Sequence, residues 1–308
     1  MQSRLAISVG SFDGVHLGHR DLIARARSAV GPDGTVVAVA FDPHPRTVLA
    51  RGRAPGRLTR FDDRSTWLRA AGADEVEALG PTPELLRMDP PAFVEDLVRR
   101  HRPAVIVEGP DFRFGAGRAG SVETLRSLES RHGYRTIVID PVTVDLTNQH
   151  VVRVSSTFVR WLLSRGRVGD AARLLGRPPQ LVGEVVVGDR RGRSIGVPTA
   201  NLDCGDLLLP ANGVYAGVAV RPDGTRYPAA VNVGPRPTFD RPEPACEAHL
   251  IGYDGAVDDY GWTLRISLHA WLRDLVRFDG PTALRAQLDR DIARAARRVA
   301  RPTEGAAT

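Results

Sequence analysis

Short β-branched apolar runs alternate with segments of helical spacing through the first half of the chain. Leu5 to Val9, Thr35 to Phe41, Val105 to Val107 and Thr136 to Ile139 read as strands; Arg20 to Val30, Arg64 to Ala71, Pro91 to Arg100 and Val122 to Arg131 read as helices. That rhythm predicts a parallel sheet with helices on both faces and ligands at the carboxyl ends of its strands. Helical spacing continues from Thr157 to Leu175 and stops at Gly176, with Pro178 and Pro179 beyond it. From Leu181 the pattern changes to short strands between Gly, Pro and Asp turns: Gly183 to Val187, Val214 to Val220, Ala229 to Val233, Ala248 to Ile251 and Thr263 to Leu268. Strands at this spacing without intervening helices solve their edges by closure, which predicts a small all-β barrel. A helix over Pro281 to Ala300 follows, and Arg301 to Thr308 has the composition of a loose tail. The expected division is an α/β domain over residues 1–175 and a β domain over 176–308.

Composition narrows the chemistry. The 308 residues carry 42 Lys+Arg against 36 Asp+Glu, and every one of the 42 is arginine. The absence of lysine excludes a Schiff-base or pyridoxal-phosphate lysine, a P-loop lysine and a biotin or lipoyl anchor. Phosphate must then be met by arginine, histidine, backbone amides or a metal. The net charge of +6 is spread along the chain, and aromatics are only 6%, so no nucleic-acid partner is expected. Cys204 and Cys246 have no CxxC partner and read as two buried or half-buried thiols. No basic-then-apolar leader precedes Leu5 and no apolar run reaches the length of a membrane span. A cytoplasmic protein without a membrane partner is the expectation.

Three segments of the first half carry candidate chemistry. SVGSFDGVHLGH runs from a strand through a glycine turn into a helix, with His16 and His19 flanking Gly18. Two imidazoles at that spacing can face one anion at a helix N-terminus, and Gly18 removes a Cβ in the way of phosphate. The same string also fits a helix-capping His16 beside a solvated His19. FDPHP, Phe41 to Pro45, presents Asp42 and His44 at a strand's carboxyl edge. SSTFVR places Ser155 and Ser156 where they cap a helix and Arg160 one turn in, where it would neutralise a triphosphate.

HxGH with a later SSTxxR resembles the nucleotidyltransferase superfamily. With GPDFRFGAGRAG, the strings are similar to the adenylyltransferase half of the bifunctional bacterial riboflavin kinase/FMN adenylyltransferases. The resemblance implies a Rossmann-like domain that joins AMP from ATP to FMN, giving FAD and pyrophosphate. It implies that His16 and His19 hold the α/β-phosphates, that Ser155, Ser156 and Arg160 hold the leaving pyrophosphate, and that Asp111, Phe112, Arg113 and Phe114 help to form the flavin and adenine pocket. The chain departs from the family at Gly80-Pro81 and at Arg64-Ser65, where a lysine is common.

In the β domain the densest string is GDRRGRSIGVPTANL, Gly188 to Leu202. It reads either as a glycine-rich hairpin with a positive loop or as a phosphate cradle built on Gly188, Gly192 and Gly196. Thr199 and Asn201 offer hard oxygen ligands of the kind Mg²⁺ accepts beside phosphate and water. With PANGVYAGV, NVGPRPTF, CEAHL, DYG and LR followed by Phe278, this string resembles the riboflavin kinase half of the same family. The resemblance implies phosphorylation of riboflavin to FMN by ATP, with Glu247 as the base for the ribityl 5′-hydroxyl and Arg273 on the flavin side. Two other readings remain: a divergent paralogue acting on another flavin-like acceptor or keeping one activity, and a non-catalytic flavin or RNA-binding regulator. Neither oligomeric state nor transfer of FMN between sites is legible.

Overall fold

A computed structural model describes residues 4–48, 54–188, 196–235, 244–256 and 259–300. The first strands are β1 (Leu5–Gly10) and β2 (Thr35–Phe41), whose interior residues are buried on both faces. Such continuous apolar runs belong to a parallel sheet covered on both sides. With β3 (Glu75–Leu79), β4 (Val105–Glu108) and β5 (Arg135–Val138) they form a sheet of order β3-β2-β1-β4-β5, and every pair is parallel.

Two apolar layers sandwich this sheet. One joins Ile23 and Ala26 of α1 (Leu17–Val30) and Leu68 of α2 (Phe61–Ala70) to Ala6, Val36, Ala38 and Val107. On the other face Phe93, Val94 and Leu97 of α4 (Pro90–His101) and Leu125 of α5 (Val122–His132) pack on Ile7, Val9, Val39 and Ile106. The helix ends follow local chemistry. Asp89 accepts Ala92 N–H at 2.8 Å with Pro90 at the first helical position, Ser121 and Thr124 form a reciprocal capping box, and Gly133 closes α5 in the left-handed conformation.

Three parts of this half escape the periodicity reading. β3 is a five-residue edge strand in which Glu75 and Glu77 leave no continuous apolar run. A short helix, α3 (Pro83–Arg87), is capped by Thr82. β6 (Thr143–Asp145) and β7 (Val151–Arg153) form a small hairpin. The single helix expected over Thr157 to Leu175 is instead two: α6 (Ser156–Leu163) and α7 (Val168–Leu175). Gly166 separates them at φ +69°, a conformation in which a side chain is strained, and Gly176 ends α7 at φ 68° just before the two prolines.

The second half is a closed barrel of β8 (Gln180–Val186), β9 (Ala200–Asp203), β10 (Gly213–Val220), β11 (Arg226–Pro235), β12 (Pro244–Leu250) and β13 (Thr263–Arg273). Its order is β10-β11-β12-β9-β8-β13, closed by antiparallel pairing of β13 with β10. β9 is short and begins inside the PTANL string, where turn residues mask it from a pattern reading. α8 (Pro281–Ala300) packs on β10, β11 and β13 with Asp291 and Ala295 buried. The chain divides into two compact units, one of residues 1–144 with 151–156 and one of 145–150 with 157–308. Among the described residues no helix is long and apolar enough to cross a membrane.

Candidate active sites

The first site is built on the exit of β1. Between β1 and α1 the backbone turns through positive φ at Phe12 (48°), Gly14 (87°) and Val15 (38°), closed by Val15 N–H donating to Phe12 O at 3.0 Å. Two non-glycine residues in that region need outside support. Asp13 supplies it. Its carboxylate, 5% exposed, accepts Leu58 N–H at 3.0 Å, Thr59 N–H at 3.1 Å and the Thr59 hydroxyl at 3.0 Å, while Thr59 Oγ1 accepts Gly14 N–H at 3.1 Å. Neither Asp13 nor Thr59 stands out as a site residue in the sequence, because partners forty-odd positions apart leave no local pattern.

The turn delivers His16 to the N-cap of α1, where its Nδ1 accepts His19 N–H at 3.3 Å. The two imidazoles stack with centroids 3.6 Å apart and planes 14° apart, and Phe12 meets His19 edge-on at 5.2 Å. Capping and pairing therefore coexist: His16 is buried at the helix start and His19 lies half-buried against it. Gly18 sits between them, with the His16 ring 3.4 Å from where a Cβ would lie.

Ser156 Oγ donates to Asp13 O at 2.7 Å, bringing together two strings 143 positions apart. Ser155 precedes it, and Arg160 lies one turn further along α6. Under the same turn, Arg64 on α2 is 3% exposed and donates to Ser11 O at 2.8 Å, Phe41 O at 2.9 Å and Asp42 Oδ1 at 3.2 Å. One guanidinium thus ties the exits of β1 and β2 to the FDPHP turn, a task that its fixed fork suits. Burial lowers the Arg64 pKa, with the Asp13 and Asp42 charges opposing that effect. Asp42 is also ion-paired with Arg57, and His44 Nδ1 accepts Arg46 N–H at 3.1 Å, so Asp42 ties the turn to α2 and the segment before it while His44 closes the turn locally.

The GPDFRFG loop leaves β4 at the same sheet edge. Phe114 is buried between Phe93 (5.4 Å) and Phe112 (5.2 Å), and exposed Asp111 pairs with Arg153. Phe112 is the half-buried ring of this stack and the one with surface left for a ligand.

The second site lies on the barrel, where register explains what spacing could not. Glu247 on β12 pairs with Asn201 on β9 and with Asn232 on β11. Cross-strand partners share a face of the sheet, so Asn201, Glu247 and Asn232 form one polar row across three strands. Asn232 stands in the NVGPRPTF string, where no local spacing marks it as a site residue. His249, two residues past Glu247 and hence on the same face, holds Pro198 O through Nδ1 at 2.8 Å, which makes Nδ1 the protonated nitrogen and anchors the segment carrying exposed Thr199.

Gly188 packs directly on this row: a Cβ there would lie 2.0 Å from Asn201 Nδ2 and 2.6 Å from Oδ1, so any side chain would move Asn201. Gly196 takes φ +73° at the other end of the loop. Gly192 and the Arg190 to Arg193 loop lie outside the described residues. Arg273 is bound to α8: its guanidinium donates to Asp291 Oδ2 at 2.9 and 2.7 Å, and Asp291 is 1% exposed. Cys246 is fully buried beside Cys204, and that contact together with burial pushes its thiol well up. Both cysteines are buried thiols, as their spacing suggested. Among the described residues no group of three or more His, Cys, Asp or Glu is arranged to hold a metal. The donors at Thr199 and Asn201 are a hydroxyl and an amide, which fit a hard cation that brings phosphate oxygens and water with it.

Comparison with known proteins agrees with both halves. The family model described as FAD synthetase matches residues 1–158, and the riboflavin kinase model matches 175–299. The bifunctional riboflavin kinase/FMN adenylyltransferase of Escherichia coli (strain K12) is 34% identical over 292 residues, covering 94% of this chain and 91% of its own. The protein of the same name from Bacillus subtilis is 31% identical over 297 residues, covering 94% and 91%. A crystal structure named as a macrolide-efflux protein from Streptococcus pneumoniae superposes with a TM-score of 0.83 at 27% identity, covering 96% of this chain and 95% of that one. Two family models that divide the chain between them, and relatives that match it nearly end to end, place this chain in the bifunctional riboflavin kinase/FMN adenylyltransferase family.

Proposed function

We propose that this chain makes FMN from riboflavin and ATP in its barrel and FAD from FMN and ATP in its α/β domain, with residues 1–175 and 176–308 as the two domains. The observation that carries the reading is the pairing of each nucleotide motif with its own built site: the stacked His16–His19 pair on a braced turn, and the Asn201–Glu247–Asn232 row beside the anchored PTAN segment.

In the α/β domain a phosphate oxygen of FMN attacks the α-phosphorus of ATP, and the bond to pyrophosphate breaks. No covalent enzyme intermediate is needed, so the protein's task is alignment and charge stabilisation. His16 and His19 hold the α/β-phosphates at the α1 N-terminus with Gly18 between them. Ser155, Ser156 and Arg160 take the leaving pyrophosphate. Asp111, Phe112 and Phe114 form the flavin side, Phe112 offering a ring face.

In the barrel Glu247 accepts the proton of the ribityl 5′-hydroxyl as that oxygen attacks the γ-phosphorus and ADP leaves. Gly188 and Gly196 line the phosphates, and Arg273 orders the flavin side from its seat on α8. Mg²⁺, held by Thr199 and Asn201, supplies charge neutralisation on the phosphates when bound. The reaction is that of a cytoplasmic biosynthetic enzyme with neither membrane nor nucleic-acid partner.

The test is direct. Purified protein is incubated with riboflavin, ATP and Mg²⁺, and flavins are resolved by chromatography. FMN followed by FAD is the expected course; a halt at FMN, or turnover only of another flavin-like acceptor, would identify a paralogue with narrower or altered activity. Flavin or RNA binding without ATP turnover would overturn the enzymatic reading.

A further inference from the structure

β1 and β4 are the neighbours at which the strand order of the sheet reverses. Their ladder is short, pairing Ala6 with Val105 and Ile7 with Ile106. β1 goes on pairing with β2 as far as Gly10 and Ala40, and β4 with β5 as far as Glu108 and Val138. The two strands therefore part beyond Ile7 and Ile106, opening the crevice where an open parallel sheet receives its ligand.

Glu108 stands in that opening. It is 2% exposed, and its Oε1 accepts Val9 N–H at 2.7 Å, at a level where β4 offers β1 no ladder carbonyl. A buried N–H without an acceptor is costly, so the contact is worth making. Val9 leads at once into Gly10, Ser11 and the positive-φ turn that ends at His16.

Glutamine would offer Val9 the same oxygen without burying an ionisable group, which separates the acceptor role from the carboxyl's titration. Burial pushes the Glu108 carboxyl well above its ordinary range, with the Val9 N–H opposing, and no ion pair offsets it among the described residues. The elements packed on its face contribute Ile7 and Val9 from β1, Phe93, Val94 and Leu97 from α4, and Leu125 from α5, all apolar. The titratable group among them is Tyr134, whose hydroxyl donates to Leu125 O at 2.7 Å and is pushed up to about 12. In the loop beyond β4, Asp111 and Arg153 neutralise one another at the surface.

We propose that Glu108 is a positioning residue of the adenylyl-transfer site, holding the exit of β1, and through it the turn that carries His16, in the geometry the reaction needs. The inference rests on the reading of the α/β domain as the FMN adenylyltransferase. Burial favours the neutral acid in this role, with the Val9 N–H opposing. Ionisation would leave a buried, uncompensated negative charge beside a site that must receive a triphosphate, so FAD formation declines as the pH rises through the carboxyl's folded pKa.

The full chain provides its own control, since FMN formation occurs in the barrel. FAD formation from FMN and ATP, and FMN formation from riboflavin and ATP, are measured from mildly acid to alkaline pH for the unmodified chain, Glu108→Gln and Glu108→Leu. Glu108→Gln keeps the acceptor, so its neutral-pH kcat for FAD formation stays within about twofold while its alkaline decline disappears; Glu108→Leu orphans Val9 N–H and lowers that kcat about tenfold, with KM little changed. FMN formation is the same in all three. The proposal is overturned if Glu108→Gln keeps the alkaline decline, if Glu108→Leu forms FAD at the unmodified rate, or if both reactions fall together. Should Glu108→Leu fail to fold, the Glu108→Gln pH profile decides alone. Failure of the unmodified chain to form FAD from FMN would instead break the functional reading, and this inference with it.

Discussion

At the scale of single residues, the groups that shape the first site are not those that announce it. His16 and His19 belong to a local string and are legible in it, but what holds them is Asp13, whose carboxylate closes bonds to Leu58 and Thr59. Asp13→Ala would leave two buried amides and a hydroxyl without that acceptor. A loss of about 2–4 kcal/mol in unfolding free energy is expected, read by urea denaturation, with FAD formation falling more than FMN formation. Glu108 gives a second expectation. Its folded pKa lies above its unfolded value, so the unfolded chain loses the proton first and stability is lost as pH rises from about 4 toward the folded pKa. Glu108→Gln removes that dependence, and its stability advantage in urea should widen with pH through that window. A constant difference would show that the carboxyl keeps its ordinary pKa.

At the scale of elements, the strand and helix pattern was readable wherever burial imposed a period. β1, β2 and α8 stand where periodicity put them. It failed where another rule governed: β3 is an edge strand, β9 hides among turn residues, and Gly166 divides a continuous helical pattern in two. The proposed kinase site belongs to this scale, because register alone sets Asn201, Glu247 and Asn232 in a row. Gly188→Ala tests it. The added methyl would press on Asn201 from 2.0 Å, displacing the proposed metal ligand by an ångström or so and lowering FMN formation about a hundredfold, with FAD formation from supplied FMN unchanged. Thr199→Ala is expected to raise the magnesium concentration needed for half-maximal FMN formation, and an unchanged titration would remove Thr199 from the metal site.

At the scale of the whole molecule, the chain forms two compact units, and the two proposed reactions should be separable by mutation. Glu247→Ala is expected to abolish FMN formation and spare the adenylylation of supplied FMN, while His19→Ala does the reverse. Loss of both activities in either folded variant would contradict the division. The absence of lysine takes its meaning here: where a lysine is common in the family, Arg64 binds three acceptors at the exits of β1 and β2, as an architectural cation under the site.

The sequence by itself determined the two fold classes, the motif strings and the family, because burial periodicity and chain-local turns are written in neighbouring residues. Only the tertiary structure decided which residues brace those motifs. Asp13 with Thr59, Ser156 with Asp13, Glu108 with Val9 and Glu247 with Asn201 and Asn232 are partners distant in the chain. Their meeting depends on strand order and register, and a hydrogen bond between distant segments leaves no period in a single sequence.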